Sequence, residues 1–177
     1  EPLLIVNMTQ NMAAYAAGEA IPNIINVALV PGFGMMGGSG STICLLIATF
    51  LVGRNKATRG VAKMAFVPGL FNINEPLIFG LPLMYNSTMM LPFILVMPLN
   101  GVITYIAMNT GIVAKTFAYA SWNMFCPIGG LIDTMDIKAL ILICALIVID
   151  IIIYFPFFKI YEKQKIKEEV MEESTQA

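Results

Sequence analysis

The sequence predicts an all-α membrane protein, built from transmembrane helices and from re-entrant, broken helical hairpins. Of its 177 residues, 58% are hydrophobic and only 12% are charged, whereas an average soluble domain has about 25% charged residues. The mean hydropathy is +0.81, and one water-soluble globule of this size cannot bury so much apolar surface. The lipid bilayer is therefore the expected solvent.

The first segment, residues 1–53, predicts N-terminal helices followed by a hairpin rich in glycine and serine. Residues 1–30 predict one or two helices, residues 31–41 predict a break because they contain proline and five glycines, and residues 42–52 predict a short apolar helix. The chain opens at Glu1 without a basic region and a cleavage site, so no signal peptide is predicted. We expect this sequence to be the C-terminal part of a longer membrane protein.

Two clusters of basic residues predict how the chain crosses the membrane. They are Arg54, Lys56, Arg59 and Lys63, and Lys159, Lys163, Lys165 and Lys167. Because short basic segments beside spans stay in the cytoplasm, we expect a basic cytoplasmic loop at 54–63 and a charged cytoplasmic tail at 159–177. The chain between them then crosses an even number of times. Residues 88–108 and 139–158 are apolar and long enough to span about 30 Å, which predicts a multi-pass protein with a cytoplasmic C-terminus.

The region between the two basic clusters, residues 64–158, also contains two apolar segments that cannot be continuous helices. Residues 64–85 contain three prolines, and residues 117–132 contain Pro127 and two glycines. Proline removes a backbone donor and clashes with the preceding turn. At membrane depth, freed backbone groups are tolerated only where protein or a water-filled cavity satisfies them. Both segments therefore predict broken, re-entrant hairpins.

The clearest candidate for a binding site lies in the first broken segment, where Asn72, Asn74 and Glu75 are close together. Interrupted helices mark the binding sites of transporters, and a carboxylate at the bilayer centre costs about 3 kcal/mol on insertion scales. Two amides and a carboxylate can hydrogen-bond hydroxyl groups. The alternative is that Glu75 caps a half-helix or pairs with a cation elsewhere. Asp150 lies in a predicted span without such neighbours, so we do not expect it in the site.

Two further features are candidates for contacts with a ligand. Gly38, Ser39 and Ser41 belong to a run that allows close backbone approach, although a plain tight turn explains the run as well. Trp122 offers an aromatic face and an N–H donor for a sugar, or an anchor at the membrane interface.

Several classes of function are disfavoured by composition. The absence of histidine excludes His-ligated metals and His-based triads within this chain, and the three cysteines lack CxxC spacing. We expect no metal and no cofactor. A net charge of −1 argues against nucleic acid as a partner. A membrane enzyme acting on lipid is disfavoured because no nucleophile–base pair is evident.

Residues 71–82, Phe-Asn-Ile-Asn-Glu-Pro-Leu-Ile-Phe-Gly-Leu-Pro, resemble the signature of a known family. It is the IIC membrane component of the lactose/cellobiose/chitobiose group of bacterial sugar phosphotransferase systems. The order of the surrounding features is also similar: the glycine–serine run at 37–42, the basic segment, Trp122 with the Pro-Ile-Gly-Gly at 127–130, and the aromatic run at 153–159. The resemblance extends over essentially the whole chain.

The resemblance implies a permease of the bacterial inner membrane that binds a disaccharide and presents its 6-hydroxyl to a phosphocysteine on a separate, phosphorylated IIB partner. It implies that Glu75 hydrogen-bonds near that hydroxyl and assists removal of its proton, and that Asn74, the glycine–serine loop and Trp122 line the sugar site. It also implies an N-terminal half that mediates homodimerisation, and no phosphorylated residue in this chain; Cys126 is expected to be a buried structural thiol.

A second hypothesis for the function stays open at this stage. In a proton- or ion-coupled secondary transporter, Glu75 would titrate during transport. The two hypotheses differ in what drives uptake, because a phosphotransferase permease needs phosphorylated IIB and a secondary transporter needs an ion gradient.

Overall fold

The computed structural model describes residues 2–176, without the side chains of residues 169 and 172–176. Within that range every regular element is helical, which confirms the predicted all-α fold. The α-helices are α1 (Pro2–Ala17), α2 (Thr42–Val52), α3 (Lys56–Leu70), α4 (Glu75–Gly80), α5 (Ser87–Asn109), α6 (Ile128–Thr134) and α7 (Ile137–Gln176). The other helical elements are a π-helical turn (Val30–Gly34) and a 3-10 turn (Leu83–Tyr85).

Two helices are long and apolar enough to cross a membrane, as the sequence predicts. They are α5 over Ser87–Asn109 and the part of α7 over Ile137–Glu168, and most side chains of both stretches are not buried within the chain. Apolar side chains that face outward require lipid or another apolar surface. Inside, α7 packs against α2, α5 and α6. The residues with the largest completely buried side chains include Tyr154, Phe158, Leu45 and Ile143.

The broken segments are interrupted where proline, glycine and asparagine predict. Helix α3 continues through Pro68 to Leu70, and a turn separates it from α4. Residues 117–127 are irregular before α6 begins. Residues 2–29 form one helix, α1, followed by irregular chain from 18 to 29.

The basic segment 54–63, which we expected to be a loop, is mostly helical, and this expectation is wrong for residues 56–63. The reason lies in Asn55, whose side chain accepts a hydrogen bond from the backbone N–H of Thr58 at 3.0 Å. This contact caps the first turn of α3. The unstructured connection between α2 and α3 therefore contains only three residues, Gly53, Arg54 and Asn55.

Buried amides connect the irregular segments to the helices. Asn11 on α1 donates from Nδ2 to the carbonyl oxygens of Asn23 and Thr116, both at 2.7 Å. Asn26 donates to Thr116 Oγ1 at 2.6 Å. Backbone groups that leave a helix need partners where water is excluded. Side-chain amides supply these partners here, so the irregular chain has a defined path.

Candidate functional site

Three irregular segments, far apart in the sequence, meet at one place. They are the glycine–serine loop (residues 35–41), the turn between α3 and α4 (residues 71–74) and the loop before α6 that contains Trp122. Each contains residues that the sequence predicts for the site. The structure therefore brings the predicted residues together, and two asparagines make the connections.

Asn72 joins all three segments through its side-chain amide. Its Oδ1 accepts a hydrogen bond from the backbone N–H of Gly37 at 2.8 Å, and its Nδ2 donates to the carbonyl of Trp122 at 2.7 Å. The residue is buried and has a φ of +61°, a left-handed conformation that asparagine tolerates better than most residues. The amide of Asn72 is thus occupied by the protein, and this residue positions the other segments.

Asn74 holds the glycine–serine loop against the start of α4. Its Nδ2 donates to the carbonyl oxygen of Ser39 at 2.8 Å and to Ser39 Oγ at 3.1 Å. This approach requires a glycine at position 38, because a Cβ there would lie 2.6 Å from Asn74 Cγ, and Gly38 also has a φ of +98°. The close approach that the glycine run suggests is therefore present, and its partner is Asn74.

Hydroxyl groups from two helices hold other residues of the glycine–serine loop. Thr42 at the start of α2 donates from Oγ1 to the carbonyl of Gly37, and Tyr154 of α7 donates from its hydroxyl to the carbonyl of Gly40. Both donors are buried. Since a transmembrane helix supplies Tyr154, the position of the loop is coupled to the packing of α7.

Ser41 is the last residue of the glycine–serine loop and is completely buried. Its hydroxyl donates to the carbonyl of Gly34 at 3.0 Å and accepts from Asn100 Nδ2 at 3.1 Å. The same Asn100 Nδ2 donates to Asp150 Oδ2 at 2.8 Å. Asp150, which the sequence left outside the site, thus supports the loop from α7 through Asn100 of α5. Ser41 faces this buried network, and its hydroxyl is not exposed at the surface.

Glu75 begins α4 directly after Asn74, and its side chain is exposed. The other residues of this chain therefore do not enclose Glu75, and its position in apolar surroundings at membrane depth stays a prediction. Among residues 2–176, no hydrogen bond or ion pair occupies this carboxylate. The bond between Asn74 and Ser39 places it beside the glycine–serine loop. Glu75 is accordingly free to accept hydrogen bonds from a ligand.

The loop that contains Trp122 contacts Asn72, and Trp122 is 50% exposed. Its backbone is held by Asn72, and the neighbouring Cys126 donates its N–H to the carbonyl of Leu70 at 2.9 Å. The rings of Phe71 and Phe125 also meet edge to face, with centroids 5.7 Å apart. These contacts fix the loop while half of the Trp122 side chain stays accessible.

Two ionisable residues, Asp133 and Cys126, help to hold the loop before α6 in place. Asp133 of α6 is buried and accepts a hydrogen bond from the N–H of Ala120 at 2.6 Å; burial raises the pKa of its carboxyl to about 7, against the effect of that bond. No motif in the sequence predicted this role for Asp133. Burial also raises the pKa of the Cys126 thiol to about 11, so the thiol is protonated at neutral pH and is a poor nucleophile.

The exposed and half-buried groups at this place suit a polyhydroxylated ligand. Glu75 supplies an acceptor, Ser39 supplies a hydroxyl, and Trp122 supplies an indole with an apolar face and a donor. Among the side chains that the structure describes, no group of three or more His, Cys, Asp or Glu could hold a metal ion.

Comparisons with known proteins agree with this chemistry. The cellobiose-specific EIIC component of the phosphotransferase system of Geobacillus stearothermophilus is 38% identical over 172 residues, which cover 95% of this chain. The lichenan permease IIC component of Bacillus subtilis (strain 168) is 36% identical over 170 residues, also 95% of this chain. The crystal structure of ChbC, the IIC component of an N,N'-diacetylchitobiose-specific phosphotransferase system, superposes with a TM-score of 0.91 at 34% identity over 95% of this chain.

The chain spans only part of the length of these relatives. It covers 38% of both permease components and 39% of the ChbC chain. In addition, residues 1–97 match the family model described as "Phosphotransferase system, EIIC". This chain belongs to the EIIC family of phosphotransferase-system membrane components.

Proposed function

We propose that this chain is the sugar-binding part of a disaccharide permease of a phosphoenolpyruvate-dependent phosphotransferase system. The observation that carries the proposal is the pair of asparagine contacts. Asn72 and Asn74 hold Ser39, Glu75 and Trp122 at one place although these residues lie in three separate segments. Relatives named for cellobiose, for lactose and for N,N'-diacetylchitobiose support a disaccharide of the cellobiose, chitobiose or lactose type as substrate.

In this proposal the sugar contacts exposed side chains around a fixed backbone. The Glu75 carboxylate accepts hydrogen bonds from sugar hydroxyls, Ser39 adds a hydroxyl, and the indole of Trp122 stacks on a face of C–H bonds. Asn74 contacts the sugar edge while it holds Ser39, and Gly38 lets the backbone come close. Asn72 and Ser41, whose side chains bond within the protein, act by positioning the others.

The permease then delivers the sugar to a phosphorylated IIB subunit. The oxygen of the 6-hydroxyl attacks the phosphorus of the IIB phosphocysteine, the S–P bond breaks, and an O–P bond forms. Glu75 is the group in this chain that is placed to receive the hydroxyl proton, as the resemblance implies. The chain itself carries no phosphoryl group in this scheme.

We further propose the arrangement in the membrane. The protein lies in the bacterial inner membrane with the basic segment 54–63 and the tail 159–177 in the cytoplasm, because both are rich in lysine and arginine. Residues 1–53 and 64–158 form the substrate domain. The part of the relatives' length that this chain does not cover would supply the other wall of the sugar site and the contacts of a homodimer.

Uptake by the protein in its full native length tests the proposal against the alternative of ion coupling through Glu75. In proteoliposomes loaded with IIB, we expect disaccharide uptake only when IIB is phosphorylated, with a phosphorylated disaccharide as the internal product. Collapse of the proton gradient should leave the rate unchanged. Uptake of unmodified sugar that follows the gradient and ignores IIB would contradict the proposal and favour the secondary transporter.

A further inference from the structure

The two basic clusters of the sequence meet around a single cavity, at a distance from the candidate sugar site. The cavity has a volume of about 530 Å³ and lies between the end of α2, the start of α3 and the outer part of α7. Its charged lining residues are Arg54, Arg59, Lys159, Lys163 and Glu162. Four cations thus face one carboxylate, although the two clusters are about 100 residues apart in the sequence.

The single carboxylate in the lining is already engaged. Glu162 is buried, and its Oε1 accepts hydrogen bonds from the backbone N–H groups of Arg54 and Asn55. This contact fixes α7 to the connection between α2 and α3, so the cavity has a defined shape. Glu162 therefore offers little to the cationic side chains around it.

None of the four cations forms an ion pair with a side chain that the structure describes. The ammonium of Lys159 lies over the ring of Phe155, 4.3 Å from the centroid. All four side chains are exposed, so water screens part of their mutual repulsion, and an anion bound between them would reduce the rest. The arrangement therefore suits an anionic ligand.

The position of the cavity along the helices indicates the kind of anion. Helix α2 is apolar up to Val52 and is followed by Arg54, and α7 is apolar up to Phe158 and is followed by Lys159. Both transitions occur at this cavity, which puts it at the level where an apolar span meets the polar headgroups. Its lining also includes Phe50 and the exposed Leu51. The site thus combines cations with an apolar wall that continues into the membrane-spanning region.

We propose that this cavity binds the phosphate headgroup of an anionic phospholipid, with an acyl chain lying along Leu51. Basic pockets between membrane helices hold such headgroups, and the volume is within the range of ligand sites. A soluble phosphate would use the cations and leave the apolar wall uncovered. The bound lipid would link α7, which holds the glycine–serine loop through Tyr154, to the start of α3.

Native mass spectrometry of the protein in its full native length, titrated with phosphatidylglycerol, tests this site. The site variant is Arg59→Gln with Lys163→Gln. Its matched control is Lys56→Gln with Lys63→Gln, two exposed cations that do not line the cavity. At about fivefold per cation, the site variant should bind the lipid about 30-fold more weakly, while the control stays close to the native value. Phosphatidylcholine should bind the native protein no more tightly than phosphatidylglycerol binds the site variant.

Three other outcomes would contradict the proposed lipid site. Equal losses in the site variant and the control would show a diffuse surface effect and overturn the proposal. Displacement of the lipid by millimolar inorganic phosphate would assign the cavity to a soluble anion. Unchanged lipid binding with a loss of IIB-dependent phosphoryl transfer would assign it to a protein partner. If the first site variant does not fold, as judged by disaccharide binding, Arg54→Gln with Lys159→Gln replaces it, with the same expectation.

Discussion

Replacing Asn72 with alanine would remove the side chain that connects the three segments of the candidate site. The N–H of Gly37 is buried and would lose its acceptor, which costs about 1–3 kcal/mol. The carbonyl of Trp122, a half-exposed residue, can recruit water, so that bond is worth about 0.5–1.5 kcal/mol. The loss of these two hydrogen bonds should lower the free energy of unfolding by about 1.5–4.5 kcal/mol. Disaccharide affinity should also fall, because the Trp122 loop is released.

Thermal unfolding in detergent and disaccharide titration of the full-length variant measure both effects. Asn109→Ala is the matched control, because Asn109 is exposed at the end of α5. Asn72→Gly separates the hydrogen bonds from the backbone conformation. Glycine adopts the φ of +61° without the cost of about 1–2 kcal/mol that a Cβ carries there, so this variant should recover only that part of the loss in Asn72→Ala. If Asn72→Ala matched Asn109→Ala in both melting temperature and affinity, the reasoning about the connecting role of Asn72 would be refuted.

Two further substitutions test the support of the glycine–serine loop. Gly38→Ala should lower the melting temperature and abolish most sugar binding, because its Cβ would lie 2.6 Å from Asn74 Cγ. In the control Gly101→Ala on α5, the new Cβ has nothing within 4 Å, so this variant should be neutral or stabilising. Equal effects in the two variants would contradict the close approach of Gly38 to Asn74. Asp150→Ala should lower the free energy of unfolding by about 1–3 kcal/mol by leaving buried Asn100 Nδ2 without this acceptor, while Asp150→Asn retains an acceptor and should cost less. The reverse order in thermal unfolding would contradict this account of Asp150.

The spans and the breaks could be predicted because their causes are local. Hydropathy over about 20 residues decides whether a helix can cross a bilayer. Pro76 lies in the first turn of α4 and Pro82 lies directly before the 3-10 turn, where proline is tolerated at the start of a new element, although α3 continues through Pro68. The clustering of Asn72, Asn74 and Glu75 was also visible in the sequence. These features need no knowledge of which segments meet in space.

The division of roles within the site could not be predicted, because it depends on long-range contacts. The partners of Asn72 are backbone groups 35 and 50 residues away, and nothing in the local sequence distinguishes a connecting amide from one that faces a ligand. The side-chain partners of Asp150, Asn100 and Cys44, come from α5 and α2 rather than from its own helix. The exposure of Glu75 likewise follows from the direction of α4, which the residues of the turn alone do not determine.

Disaccharide binding to the Glu75→Gln variant tests the central claim most directly. The substitution keeps the size of the side chain and removes its charge. A hydrogen bond to a charged group is worth about 1.5–3 kcal/mol, so titration calorimetry on the full-length protein should show an affinity about 10-fold to 100-fold lower. Glu19→Gln, which changes an exposed carboxylate after α1, should leave the affinity unchanged. Native affinity in Glu75→Gln would contradict the proposal that this carboxylate binds the sugar.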